Sequence, residues 1–120
     1  MKILIAEDEP LMLKTLALRL RKDGHEVITA ADGRQATDYF LNADMDMVIT
    51  DIMMPFASGL ELLEIVRRRK DKKIPVIVLS AMGQENVVIE AFKLGADDYI
   101  TKPFSPVELS MRVRRFTSAA

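Results

Sequence analysis

Short runs dense in Ile and Val alternate along this chain with stretches of helical period, and that alternation restricts the fold more than any other feature. Lys2–Ala6, Glu26–Ala30, Met47–Thr50 and Val76–Ser80 read as strands buried on both faces, the pattern of a parallel sheet, and Asp98–Thr101 reads as a shorter fifth strand. Between the first two strands, Pro10 to Asp23 is predicted helical, with Leu11, Leu13, Leu16, Leu18 and Leu20 as a broad apolar face and Gly24 as a left-handed stop. The second helix spans Asp32 to Leu41. Ser58-Gly-Leu-Glu61 is a capping box that opens the third, and Leu60, Leu63 and Val66 follow as its buried stripe. Gln84 to Leu94 is the fourth, ended by Gly95. Ser105-Pro-Val-Glu108 repeats the capping device with Pro at the first helical position and opens a helix to about Phe116.

Strands and helices in strict alternation imply right-handed crossovers, hence an α/β fold: a doubly wound five-stranded parallel sheet with five helices on its two faces. With 120 residues the chain makes one domain, for which the order 2-1-3-4-5 is the fitting winding, and the ligand crevice of that winding lies at the carboxyl ends of the strands. The absence of Cys removes disulfides and thiolate metal sites, and a net charge of -1 excludes a surface that is wholly a nucleic-acid or anionic-membrane footprint. The longest apolar runs, Ile3–Ala6 and Val76–Leu79, are far short of a membrane span, and no signal-peptide pattern follows Met1. A soluble intracellular domain is expected.

The winding also sorts polar residues. Glu7 and Asp8 follow strand 1, Asp51 follows strand 3, Ser80 ends strand 4 and Lys102-Pro103 follows strand 5, so all should meet in one cleft. Singly, each has a plainer reading as a turn cap, a helix-end charge or a solvated side chain. Together they carry complementary chemistry. Two carboxylates ~4 Å apart repel by about 4 kcal/mol at an effective dielectric of 20, so Glu7, Asp8 and Asp51 require a cation. Three carboxylates against the Lys102 ammonium leave a formal charge that one divalent ion cancels, and an all-oxygen set selects a hard ion such as Mg²⁺. Mg²⁺ shares its open positions with phosphate oxygens, which points to phosphoryl chemistry with Asp51 as the nucleophile. Glu7 and Asp8 would hold the metal, Lys102 would pair with a phosphoryl oxygen and Ser80 would donate a hydrogen bond to another.

Across essentially its whole length the chain resembles the receiver domain of two-component response regulators, a flavodoxin/CheY-like fold. The resemblance rests on Ile3–Pro10 (ILIAEDEP), Val48–Pro55 (VITDIMMP), Val76–Ala81 (VIVLSA) and Gly95–Phe104 (GADDYITKPF), in the family's order and spacing. It implies a single receiver domain over 1–120, located in the cytoplasm, in which Asp51 accepts a phosphoryl group from a sensor histidine kinase or a small acyl phosphate. Glu7, Asp8, Asp51 and the backbone carbonyl of Met53 match the magnesium positions, Ser80 and Tyr99 match the switch pair, and Lys102 matches the family's lysine, with a cis Lys102–Pro103 bond. Output is expected on the surface of helix 4, strand 5 and helix 5. There Asp97, Asp98, Glu108 and Arg112 look like residues that pair across a symmetric dimer of transcription regulators, although Val88 stands where those relatives often carry Lys.

Two departures matter. Glu7 replaces the commoner Asp and lengthens one ligand by a methylene. Met53 and Met82, two residues after Asp51 and Ser80, offer no polar group to orient an attacking water, so self-dephosphorylation should be slow. An aspartyl-phosphate phosphohydrolase would need a second acid where Met53 stands, a degenerate receiver would lack the acids or the lysine, and nucleotide binding would need a Gly-rich loop after strand 1. His25 reads as a surface residue, the eight Met residues as flexible core filler, and Arg67–Lys70 with Lys72-Lys73 as a solvated helix end; direct nucleic-acid binding by this domain is not expected.

Overall fold

The computed structural model describes residues 1–54 and 58–117. Along them run β1 (Lys2–Ala6), α1 (Pro10–Lys22), β2 (Glu26–Ala30), α2 (Gly33–Asn42), β3 (Met47–Asp51), α3 (Gly59–Arg68), β4 (Val76–Ser80), α4 (Glu85–Lys93), β5 (Asp98–Thr101) and α5 (Pro106–Thr117). All strand pairings are parallel, and the sheet order is β2-β1-β3-β4-β5. Pro55, the last residue of the second motif, lies outside the described residues.

Side chains alternate across the pleat, so each central strand feeds two cores. Ile3, Ile5, Met47, Ile49, Ile77 and Leu79 pack with Leu16, Ala17 and Leu20 of α1 and Leu109 and Val113 of α5. Leu4, Ala6, Val48, Val76 and Val78 pack on the other face with Ala36 and Phe40 of α2, Leu62, Leu63 and Val66 of α3, and Val88 and Ala91 of α4. Each fully buried aliphatic side chain contributes roughly 1.5–3 kcal/mol, so these two layers hold the sheet rigid at its centre.

Helix ends follow the local chemistry. Asp32 caps α2 by accepting from the Gln35 N–H at 2.8 Å, while Gln35 Oε1 accepts from the Ala31 N–H. Ser58 and Ser105 accept at 3.2 Å from Glu61 and Glu108, the first half of each capping box. Gly24 (φ 99°) and Gly95 (φ 105°) close α1 and α4 in left-handed Schellman turns: the Gly24 and His25 amides donate to Arg21 and Leu20, and those of Gly95 and Ala96 to Phe92 and Ala91.

Three expectations need correction. Leu11 and Leu18 are exposed (73% and 56%) because their seven-residue spacing sets them on one line of α1 away from the line of Leu16 and Leu20. His25 is half-buried rather than on the surface, and burial, aided by the nearby amino terminus, pushes its pKa below the ordinary histidine value. Arg67 is not part of a solvated helix end. Its guanidinium donates to the carbonyls of Gly95 (Nη2, 2.6 Å; Nε, 3.0 Å) and Ile74 (2.7 Å) and to Asp97 Oδ2 (2.6 Å), which in turn accepts from the Val76 N–H at 2.8 Å. This fork ties α3 to the start of β4 and to the turn before β5, adding the helix to two segments that the ladder already pairs. Further along the run, Arg69 pairs with Asp44 at 2.7 Å and with Asp71, and Lys72 pairs with Asp46 at 2.7 Å.

Arg67→Ala strands partly buried carbonyls and a carboxylate, and is expected to cost about 2–3 kcal/mol. Arg67→Lys recovers less than half, because an ammonium cannot reproduce the planar fork. Urea denaturation checks both; a loss below about 0.5 kcal/mol in Arg67→Ala would remove the fork's structural role.

Candidate functional site

The winding gathers the carboxyl ends of β1, β3, β4 and β5 at one edge of the sheet. Backbone bonds fix those ends to one another. The Glu7 N–H donates to the Ala30 carbonyl (3.1 Å), that of Ile52 to Leu79 (2.9 Å) and that of Lys102 to Ser80 (2.7 Å). The Lys102–Pro103 bond is cis.

At this edge the Lys102 ammonium donates to Asp51 Oδ2 at 2.9 Å and stands 2.9 Å from Glu7 Oε2. Glu7 and Asp51 are buried, with 1% and 6% exposure, whereas Asp8 is exposed at the rim. One carboxylate oxygen from each of Glu7, Asp8 and Asp51 lies within 4.8 Å of the others, which realises the predicted cluster. Burial is the main force on the Glu7 carboxyl and raises its pKa from 4.5 to about 7; Lys102 opposes the shift, and the charge of Asp51 adds to it. Burial also works against the Lys102 charge, but its contacts with Asp51 and Glu7 outweigh burial and hold its pKa above the ordinary lysine value.

Glu7 supplies the test of whether the cluster suits a metal. Its Oε1 accepts from the Glu9 N–H at 3.2 Å. Its Oε2 is buried without a hydrogen bond, since the Lys102 contact is an ion pair outside hydrogen-bond angles. A buried carboxylate oxygen whose charge is met by an ion pair but which accepts no hydrogen bond keeps lone pairs open, and in a set of three carboxylates it is a ready ligand for a hard divalent cation. Glu7, Asp8 and Asp51 therefore fit such an ion.

Asp51 is held from below by α3. The Gly59 N–H donates to the Ile52 carbonyl at 2.8 Å, and a Cβ at Gly59 would stand 2.2 Å from the Asp51 carbonyl oxygen and 2.9 Å from Ile52 Cα. No side chain fits there, so the helix seats directly under the acid. Gly59 was not singled out in the sequence, although its place beside the Ser58 cap was the available signal.

On the far side of β4, Ser80 is 1% exposed and its hydroxyl lies 3.4 Å from Thr101 Oγ1. Ser80 and Thr101 are register partners across β4 and β5. Tyr99, two residues earlier, shares the Thr101 face of β5 and is 41% exposed, its ring meeting Phe92 edge-on at 5.7 Å. A cleft of about 390 Å³ lies beside these groups, lined also by Gln84, Val88 and Ile89. Met53 and Met82 are 55% and 79% exposed and so expose thioethers, not core filler, near the strand ends.

The charged residues expected to pair across a dimer, Asp97, Asp98, Glu108 and Arg112, are engaged within the chain. Asp97 belongs to the Arg67 fork. Asp98 is 8% exposed and accepts from Arg112 (2.9 Å) and Arg115 (3.3 Å), while Glu108 lies 3.5 Å from Arg112. Val88 is buried in the core under α4, which leaves Ile89 and Phe92 as the exposed apolar groups of that helix.

A doubly wound sheet with an acid cluster and a lysine at its carboxyl edge defines a class of α/β proteins with a charged crevice at the strand ends. The response regulator receiver domain model matches residues 3–114, and the chain belongs to that family. It is 44% identical over 113 residues to the probable transcriptional regulator ycf27 of Galdieria sulphuraria, a match that covers 94% of this chain and 44% of the relative. It is 41% identical over 114 residues to response regulator RR06 of Streptococcus pneumoniae, covering 95% and 52%. The chain thus spans about half the length of the curated relatives it matches. Among solved structures, the Francisella response regulator 1452 receiver domain is similar at 36% identity and a TM-score of 0.85, covering 96% of this chain and 94% of that one. The chemotaxis response regulator CheY4 of Vibrio cholerae is similar at 31% identity and a TM-score of 0.85, covering 96% and 97%. No helix among the described residues is long and apolar enough to cross a membrane.

Proposed function

We propose that the chain is one receiver domain over 1–120 that works as a phosphorylation-controlled switch, with Asp51 as phosphoacceptor. The observation that carries this reading is the Lys102 ammonium 2.9 Å from Asp51 Oδ2, beside a three-carboxylate cluster that needs a cation. An Asp51 oxygen attacks the phosphorus of a phosphohistidine on a sensor kinase, or of a small acyl phosphate. The P–O bond to Asp51 forms as the donor's P–N or P–O bond breaks, and the donor's leaving group keeps the electron pair. Mg²⁺, held by Glu7, Asp8, Asp51 and the Met53 carbonyl, would neutralise charge on the phosphoryl oxygens. Lys102 moves from pairing with Asp51 to pairing with a phosphoryl oxygen, and Ser80 donates to another. Tyr99 then turns inward towards the cleft beside Ser80, and the α4–β5–α5 surface changes.

The similarity to transcriptional regulators supports an output in transcription, exerted by a segment other than this one. Asp44, Asp71 and Asp46 pair with Arg69 and Lys72 of the basic run after α3, which supports the reading that this domain does not itself bind nucleic acid. A chain without Cys that takes its phosphoryl group from a sensor kinase fits the cytoplasm. The chain catalyses its own phosphotransfer and is not a turnover enzyme on an external substrate.

Incubation with Mg²⁺ and acetyl phosphate, followed by intact-mass measurement, should add about 80 Da to the parent and nothing to Asp51→Ala. An adduct that persists in Asp51→Ala removes the assignment, and multiple turnover of a phosphate ester would favour a phosphohydrolase instead.

With Met53 two residues after Asp51 and Met82 two residues after Ser80, the aspartyl phosphate should decay slowly. Met82→Glu, which brings a polar group able to orient water, should shorten its lifetime; an unchanged decay rate in a phosphate-release assay counts against this account.

Phosphorylation is proposed to favour a two-fold dimer through the α4–β5–α5 face, where Ile89, Phe92 and Met111 are exposed beside the Asp98–Arg112 pair. Sedimentation with a beryllofluoride-bound sample should show a dimer at high concentration. Monomer alone would overturn it.

A further inference from the structure

Thr101 is the one polar contact of the buried Ser80 hydroxyl among the described residues, and that contact points away from the acid. The Oγ–Oγ distance is 3.4 Å, at the long end of hydrogen bonding, and both residues lie beside the cleft that Tyr99 and Phe92 flank. Sheet order makes the direction unambiguous: β4 lies between β3, which carries Asp51, and β5, which carries Thr101. The Ser80 hydroxyl is therefore engaged on the β5 side.

We propose that Thr101 is a positioning residue that latches the Ser80 hydroxyl in the resting state and so sets the threshold of the switch. The proposal rests on the reading of Ser80 as the hydroxyl that engages the phosphoryl group. To engage it, the Ser80 oxygen must turn from the β5 side of β4 to the Asp51 side, which stretches a 3.4 Å contact beyond hydrogen-bond reach whichever hydroxyl donates, and the length of the bond makes the latch shallow. The latch also sits where the two responding side chains meet. Thr101 pairs in register with Ser80 and shares its β5 face with Tyr99, so release of Ser80 and movement of Tyr99 alter the surroundings of a single hydroxyl. Thr101 is exposed and its strand lies at the sheet edge, so Thr101→Val removes the hydroxyl and keeps the β-branched shape.

The test is an NMR titration of the full chain with beryllofluoride, a tetrahedral phosphoryl mimic, at saturating Mg²⁺, reading the bound fraction. Thr101→Val should bind the mimic roughly three- to ten-fold more tightly, the fold-change that corresponds to one modest neutral hydrogen bond. Thr101→Ser should return to the parent value, a rescue that a packing defect would not give. In the Ser80→Ala background, Thr101→Val should have no effect, since the latch has lost its partner. If Ser80→Ala weakens mimic binding while Thr101→Val leaves it unchanged or weaker, the latch is overturned and the reading of Ser80 survives. If Ser80→Ala changes nothing, the reading of Ser80 fails and the latch falls with it.

Discussion

Charge crowding at the carboxyl edge of the sheet governs the rest of this molecule. β1 and β3 are neighbours, so the acids at their ends cannot be spread apart without breaking the ladder. Two carboxylates ~4 Å apart cost about 4 kcal/mol at an effective dielectric of 20, a large fraction of a small domain's stability. The fold answers with a cation from β5, two strands away from β3, whose ammonium lies 2.9 Å from both Glu7 and Asp51. One ammonium meets only part of the demand. Burial still raises the Glu7 carboxyl, and Glu7 Oε2 still lacks a hydrogen bond. The site thus keeps carboxylate oxygens that a divalent ion would satisfy.

That balance depends on rigidity delivered from elsewhere. The acids are positioned by strands buried on both faces, and α3 seats against Asp51 so closely that the chain has no room for a side chain at Gly59. Behind α3, the Arg67 fork clamps the helix to β4 and to the turn before β5. A displacement at the Asp51 end would have to travel against two packed cores and a guanidinium bound on several sides. Side chains, not strands, are therefore the cheapest parts of this site to move.

Much of this was legible in the sequence because it is local. Strand boundaries follow from Ile/Val runs, which have no stable alternative to burial on both faces, and the winding then carries Glu7, Asp8, Asp51, Ser80 and Lys102 to one edge without further information. The resemblance to receiver domains added the roles of Met53 and Tyr99, which no spacing rule supplies. What stayed hidden is non-local or directional. Arg67 reads as one of several basic residues until Gly95 and Asp97, 28 and 30 residues away, are seen around it. Leu11 and Leu18 look like core by type, and only the angular position of α1 on the sheet turns them outward. Thr101 is visible as the residue before Lys102, but its contact with Ser80 comes from a register across two strands.

β4 divides the site into an acidic half and a half of hydroxyl and aromatic groups. On the β3 side lie the acids, crowded and buried. On the β5 side lie Thr101, Tyr99 and the cleft against α4, where apolar and hydroxyl groups outnumber the one charged lining residue, Glu85. The backbone around Tyr99 is held while its ring is not: its N–H donates to Asp98 Oδ1 at 2.8 Å and its carbonyl accepts from Arg112 at 3.1 Å, whereas the ring makes an edge-on contact with Phe92. Such a contact contributes about 0.5–1.5 kcal/mol, within the range that one gained or lost hydrogen bond can offset. Ser80 stands between the halves, its carbonyl bound to the Lys102 N–H and its hydroxyl to Thr101, so one residue is tied to the strand end that carries the ammonium and to the face that carries Tyr99. A small domain with a rigid sheet can convert a change of charge into a change of surface only through side chains placed like these.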